Sequence, residues 1–154
     1  METDRPDTRG ETRLRRVPPD DAKFLEALGE VGMPRGDLSA SHGVYFAHVD
    51  DSGAARGYCG YELLGEEIAF IRSCVVPGEH RGKGVGGAMV GALVDMLAAK
   101  AMRELYLFTM DADPFFARLG FAVIARGEAP DAIRATSQFS MECCADAVLM
   151  RRAL

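Results

Sequence analysis

Apolar side chains recur along this chain in two rhythms, every second residue and every third or fourth. The places where one rhythm gives way to the other mark its elements. Residues 12–17 alternate weakly and predict a first strand. Pro18, Pro19, Asp20 and Asp21 break it and supply a helix cap, after which Phe24, Leu25, Leu28 and Val31 fall at helical spacing as far as 32–34. Residues 44–49 predict a strand, Asp50, Asp51, Ser52 and Gly53 a hairpin turn, and 54–64 its partner. Glu66 and Glu67 turn the chain into a further strand over 68–76. From 86 to 101, Met89, Val90, Leu93, Val94, Leu97 and Ala98 mark an amphipathic helix. A strand over 105–110, a short helix over 113–119 and a strand over 121–126 follow, with Gly120 suited to a left-handed helix cap. Ala129 and Pro130 open a loop, and 147–154 closes the sheet. Antiparallel hairpins first and a β-α-β-α-β run second predict a mixed α/β (α+β) layer. It forms a single domain over 12–154, preceded by a polar, disordered tail over 1–11.

Composition narrows the classes. A chain of 154 residues with 48% hydrophobic content suits one domain with a real core. A formal net charge of −5 argues against nucleic acid or an anionic membrane as partner, since both need a broad basic face. The longest apolar runs fall far short of the roughly 20 residues that span a bilayer. The charged N-terminal stretch has no apolar signal core, so a cytoplasmic location is expected. Cys59, Cys74, Cys143 and Cys144 lack zinc-type spacing and read as reduced thiols, while His42, His48 and His80 are scattered. No metal site is predicted.

The densest chemical signal is Val76-Pro-Gly-Glu-His-Arg-Gly-Lys-Gly-Val-Gly-Gly-Ala-Met-Val90, a strand joined to a helix through a glycine-rich turn. Glycines let the main chain approach a ligand closely, and the free N–H groups of a helix start point at an anion. Arg81 adds a fixed positive charge, so a pyrophosphate-bearing molecule is the natural guest. A P-loop is excluded, because Gly78 and Gly82 enclose three residues rather than four and Gly84 follows Lys83. The run from Gly82 to Gly87 does match the dinucleotide glycine pattern. It lies mid-chain, however, with too little sequence after it for a second nucleotide half.

Arg81-Gly-Lys-Gly-Val-Gly86 after the strand ending Cys74-Val75-Val76-Pro77, followed by Phe115-Phe116-Ala-Arg-Leu-Gly-Phe121, resembles the GNAT N-acetyltransferase family. The resemblance covers the chain from about residue 12 onward. It implies a GNAT fold, with a mixed central sheet of about six to seven strands and helices on both faces. It also implies acetyl-CoA as co-substrate, with Arg81, Gly82, Lys83, Gly84, Gly86 and Gly87 on the diphosphate and main-chain groups of Cys74 and Val76 on the pantetheine arm. Backbone N–H at Val75 or Val76 would face the developing oxyanion. Phe116 stands where many members of this family carry a tyrosine that protonates the departing thiolate. It reads instead as core and cofactor packing, which leaves solvent, Tyr61 or Tyr106 for that role. A homodimer is common in the family.

A narrower resemblance, in Phe70-Ile-Arg-Ser-Cys-Val-Val76 and Ala129-Pro-Asp-Ala-Ile-Arg-Ala-Thr-Ser-Gln-Phe139, is to acetyltransferases of bacterial arsenic-resistance operons. It implies a small amino-acid-like amine acceptor. Such an amine is mostly protonated at neutral pH, so a carboxylate base helps, and Glu62 is the candidate beside a reading as a solvated turn charge. Arg72 is a guanidinium inside an apolar strand. It reads either as the anchor of an acceptor carboxylate or as a salt bridge to Glu62 or Glu67. Arg134 in the later loop has the same two readings. Vicinal Cys143 and Cys144 read as buried small hydrophobes or as a thiolate pair for a metalloid. A different class, an acyl-CoA-binding sensor without catalysis, is compatible with the missing tyrosine.

Overall fold

The computed structural model describes residues 13–33, 35–38, 42–140 and 146–154. Seven strands form one sheet in the order β1-β2-β3-β4-β5-β7-β6. Strand β1 (Leu14–Val17) ends at the two prolines, and helix α1 (Ala22–Glu30) begins where the Asp21 carboxylate accepts the Phe24 N–H at 3.0 Å. Strands β2 (Val44–Val49) and β3 (Ala55–Leu63) are joined by the expected hairpin. Its Asp50 carboxylate accepts the N–H groups of Ser52 and Ala54 at 2.9 and 3.0 Å. Strand β4 (Ile68–Val75) leads through a short 3-10 turn, Gly78–His80, into the long helix α2 (Val85–Ala99). Strand β5 (Glu104–Thr109), helix α3 (Asp113–Ala117) and strand β6 (Ala122–Ile124) follow. Gly120 closes α3 with φ of 92°, and the Phe121 N–H reaches back to the Phe116 carbonyl at 3.1 Å.

One feature departs from the sequence reading: the stretch after Pro130 carries two short helices, α4 (Asp131–Arg134) and α5 (Ser137–Ser140), instead of a loop. The last strand, β7 (Val148–Ala153), joins the sheet as expected, and its place, which spacing along the chain does not state, is between β5 and β6, antiparallel to both. That position lets Leu149 and Met150 bury on opposite faces, while β6 is left as the short edge strand.

Side chains alternate across β4, and the two faces receive different helices. Ala69 and Ile71 join Met89, Leu93 and Leu97 of α2, together with Phe116 and Phe121, in the largest core. Tyr45, Tyr58 and Val75 pack instead on Phe24 and Leu28 of α1, and Phe70 on Ile133 of α4. Fully burying a leucine such as Leu93 contributes about 2 kcal/mol, so the α2 face anchors the fold.

The register of β3 on β4 shifts between Tyr58↔Val75 and Gly60↔Arg72, three residues against two. The extra residue is Ser73, a non-glycine at φ of 60° and buried. Such a bulge reverses the alternation, so Cys74 falls on the α2 side and Val75 on the α1 side. On its other edge β4 pairs with β5, in parallel, only from Ile68 to Phe70. Beyond Phe70 the two strands part.

Candidate active site

The helix start that the glycines predict is present. Gly82 and Gly84 have φ of 78° and 79°, and Gly84 is the N-cap of the fifteen-residue α2. A side chain at either would be strained, and a Cβ there or at Gly87 would meet nothing within 4 Å, so the space over the turn is open. At Gly86 the opposite holds, since a Cβ would come within 3.2 Å of the Phe115 ring. The Arg81 Nε donates to the Val76 carbonyl at 2.8 Å, which fastens the arginine beside the turn. Open N–H groups, a helix dipole of fifteen residues and a held guanidinium fit a diphosphate.

From this turn a cleft of about 920 Å³ runs between the parted strands. Its walls include His80, Arg81, Gly82, Gly84, Gly86 and Gly87 at one end, and Cys74, Val75, Val76 and Phe116 midway. Arg72 and Gln138 also line it. The exposed Lys83 borders the turn without lining the cleft. The Cys74 thiol is pushed up to about 12 by burial, partly offset by the Gly60 main chain, so it stays protonated at neutral pH.

Around Arg72 the structure builds a charge network. Its side chain is 0% exposed, and Nη1 donates to Glu62 Oε2 at 2.8 Å. Nη1 and Nη2 also donate to the two oxygens of Asp37, each at 2.8 Å, and Nε to Ser73 Oγ at 3.2 Å. Burial opposes the charge on Arg72, but the hydrogen bonds it donates to Asp37 and Glu62 outweigh it and raise its pKa. Burial likewise opposes the charge on Asp37, while the bonds from Arg72 and Ser137 hold its carboxyl below the usual range. Of the two readings of Arg72, the salt bridge to Glu62 is thus formed, and Glu67 takes no part in the Arg72 bonds. Glu62 is not a solvated turn charge, since its side chain is 13% exposed, yet it stands behind Arg72 and outside the cleft lining.

Other expected residues serve the scaffold. Phe116 packs edge-on against Phe115 and Phe121, with ring centroids 5.0 and 5.9 Å away. Neither tyrosine considered as its replacement lines the cleft: Tyr61 is buried under α2, and the Tyr106 hydroxyl donates to Glu104 at 2.5 Å. Arg134 lies outside the lining, ties its own loop by donating to the carbonyls of Ala129 and Gly127, and stacks over Phe139. Cys143 and Cys144 lie outside the described residues. Among the described residues, no group of three His, Cys, Asp or Glu side chains is placed to hold a metal ion, and no helix is long and apolar enough to cross a membrane.

Asp37, Ser137 and Gln138 were not singled out from the sequence. Asp37 follows Gly36 in what reads only as a polar connection. Asp131 after Pro130, an acidic residue in the first turn, was the available sign of α4, whereas nothing local marks α5, which carries residues 137 and 138.

Comparison with known proteins agrees with this architecture. The model of the acetyltransferase (GNAT) family matches residues 10–121. An uncharacterized N-acetyltransferase of Chlorobaculum tepidum is 30% identical over 88 residues, 57% of this chain and 56% of that protein. The chain thus spans little more than half the length of that curated relative. Among solved structures, Rv2747 from Mycobacterium tuberculosis, crystallised with CoA and NLQ, superposes with a TM-score of 0.71 at 18% identity, covering 92% of this chain and 98% of that one. N-acetylglutamate synthase from Neisseria gonorrhoeae, solved with coenzyme A and N-acetyl-glutamate, gives 0.68 at 17% identity over 88% of this chain and 32% of that one. At such identities the superpositions speak for the fold, whereas the family match runs through the strand, glycine turn and α2 to Phe121. With a glycine-capped helix facing the gap between two parted parallel strands, the chain belongs to the GNAT acetyltransferase family.

Proposed function

We propose that the chain transfers the acetyl group of acetyl-CoA to the primary amine of a small amino-acid-like acceptor by direct attack. One observation carries this reading: a single cleft connects the Arg81–Gly87 turn to Arg72 along the free edge of β4. Arg81, Gly82, Lys83, Gly84, Gly86 and Gly87 hold the diphosphate, and the main chain of Cys74 and Val76 holds the pantetheine arm. The bulge at Ser73 aims the N–H of Val75 or Val76 at the thioester oxygen. A protonated Cys74 disfavours an acyl-thiol intermediate, which supports attack by the amine itself. Glu62, one guanidinium away from the cleft, takes the amine proton through water. The thiolate, as a good leaving group with a pKa of about 8.5, departs with solvent help.

Arg72, a guanidinium that lines the cleft, is the anchor for an acceptor carboxylate, and Arg134, outside the lining and tied to its own loop, is not. N-acetylglutamate synthase, solved with coenzyme A and N-acetyl-glutamate, shares the fold. The likeness to arsenic-resistance acetyltransferases adds phosphinic and arsonic amino-acid analogues to the acceptors worth trying. The second reading, an acyl-CoA sensor, is favoured by Phe116 alone.

Thiol release from acetyl-CoA over a panel of amino acids, their amides and these analogues tests the choice. Turnover that depends on the amine supports the enzyme. Tight CoA binding by calorimetry with no turnover for any amine supports the sensor.

A further inference from the structure

The two carboxylates on Arg72 are held in different ways, and the difference bears on acceptor choice, given the acceptor reading above. Glu62 is a strand residue, opposite Phe70 while Gly60 lies opposite Arg72, and it touches the guanidinium through one oxygen. Asp37 comes from the connection between α1 and β2; like Glu62 it lies outside the cleft lining and reaches Arg72 from behind, but it offers both oxygens side by side, one to each terminal nitrogen, at 2.8 Å. That paired contact is the way a guanidinium recognises a free carboxylate. Two carboxylates against one guanidinium also leave the network one negative charge in excess, so one of them can leave without uncovering a cation.

We propose that Asp37 occupies the place of the acceptor's carboxylate and acts as a built-in competitor that sets how tightly carboxylate-bearing amines bind. Its described neighbours are held in place. Arg35 Nη1 donates to the Leu25 carbonyl at 3.0 Å, and Leu38 is 1% exposed in the core under α1. Exchange is therefore a rotation of the Asp37 side chain, and the Ser137 hydroxyl, which donates to Asp37 Oδ2 at 2.5 Å, opposes it. Glu62 stays in register and keeps Arg72 paired throughout. A carboxylate that reaches Arg72 in the same two-point fashion replaces Asp37 at little net cost. An amine without one leaves Asp37 in place and gains nothing from the arginine. Asp37 thereby weakens every carboxylate-bearing acceptor by a similar factor while leaving neutral amines untouched.

Binding of N-acetylglycine and of its uncharged counterpart N-acetylglycinamide, measured by calorimetry in the presence of CoA, tests this. Asp37→Asn should bind N-acetylglycine about tenfold more tightly than the native chain, the scale of one charged hydrogen-bonded contact. The affinity for N-acetylglycinamide and for CoA should not change. Ser137→Ala, which leaves the ion pairs intact, should shift N-acetylglycine in the same direction by a smaller factor. Adding Arg72→Gln to Asp37→Asn should erase the gain. Equal or weaker N-acetylglycine binding by both Asp37→Asn and Ser137→Ala, at unchanged melting temperature, overturns the proposal. A gain in both, with no thiol release from acetyl-CoA for any amine, would leave the competition standing and remove the acceptor reading on which its biological sense depends.

Discussion

Removing the guanidinium of Arg72 is the sharpest perturbation this site allows. In Arg72→Leu the carboxylates of Asp37 and Glu62, each on a side chain 13% exposed, face one another with no cation between them. Breaking a buried pair from one side costs about 3–5 kcal/mol. Because water reaches both carboxylates at their rims, the lower end applies, about 3 kcal/mol. For a chain of this size that is a fall of roughly 6–12 °C in melting temperature.

The cost depends on pH in a direction the structure dictates. Asp37 is held below its ordinary pKa in the folded chain, so its contribution is present above about pH 4 and is lost as pH falls through the native value. In the leucine variant, protonation relieves the repulsion between the two carboxylates. The gap between native chain and variant is therefore widest at neutral pH and narrows in acid. Thermal unfolding by circular dichroism at neutral pH and near pH 3.5 reads both effects. The triple variant Asp37→Asn, Glu62→Gln, Arg72→Leu should recover most of the loss, since it uncovers no charge. A fall under about 2 °C, or a gap that does not move with pH, would refute the reasoning.

Three further outcomes follow from single residues. Gly84→Ala forces a side chain into a left-handed position at a cost of about 1–2 kcal/mol, which the turn relieves by relaxing away from the cradle's shape; CoA binding in calorimetry should then weaken by up to about tenfold, and unchanged affinity would place the diphosphate elsewhere. Ser73→Val puts a β-branched residue at φ of 60° and removes the acceptor of Arg72 Nε; turnover should fall more than either Michaelis constant changes, and native turnover would show that the bulge does not aim the oxyanion donors. Asp21→Ala removes the cap of α1 and should lower stability by about 1 kcal/mol in urea unfolding while the Michaelis constant for acetyl-CoA stays put, since the cap lies at the end of α1 opposite to Val31, which lines the cleft; a changed constant would show that fraying reaches the cleft.

What could be read from the sequence was what short range decides. The glycine turn was legible because strand, turn and helix lie within about fifteen successive residues, and the two that require a left-handed main chain, Gly82 and Gly84, are glycines. The mixed α/β class was legible because apolar spacing switches between two rhythms set by side-chain direction along the chain itself. Ser73 is the instructive failure. It adopts a left-handed conformation with no glycine to announce it, because β3 on one side and the core on both faces impose it. The insertion of β7 between β5 and β6 was likewise invisible, since apolar alternation tells which residues are buried and not which strand lies beside which.

Arg72 shows the same boundary within one side chain. Its residue type and apolar neighbours required a partner, because a guanidinium out of water must be paired, and that much the sequence alone determined. Which partner it took was decided by tertiary structure, which brings Glu62 from ten residues away, Asp37 from 35, and Ser137 onto Asp37 across 100. Local chemistry states a need for opposite charge, and only the folded arrangement of distant strands and loops supplies the distances over which that charge can act.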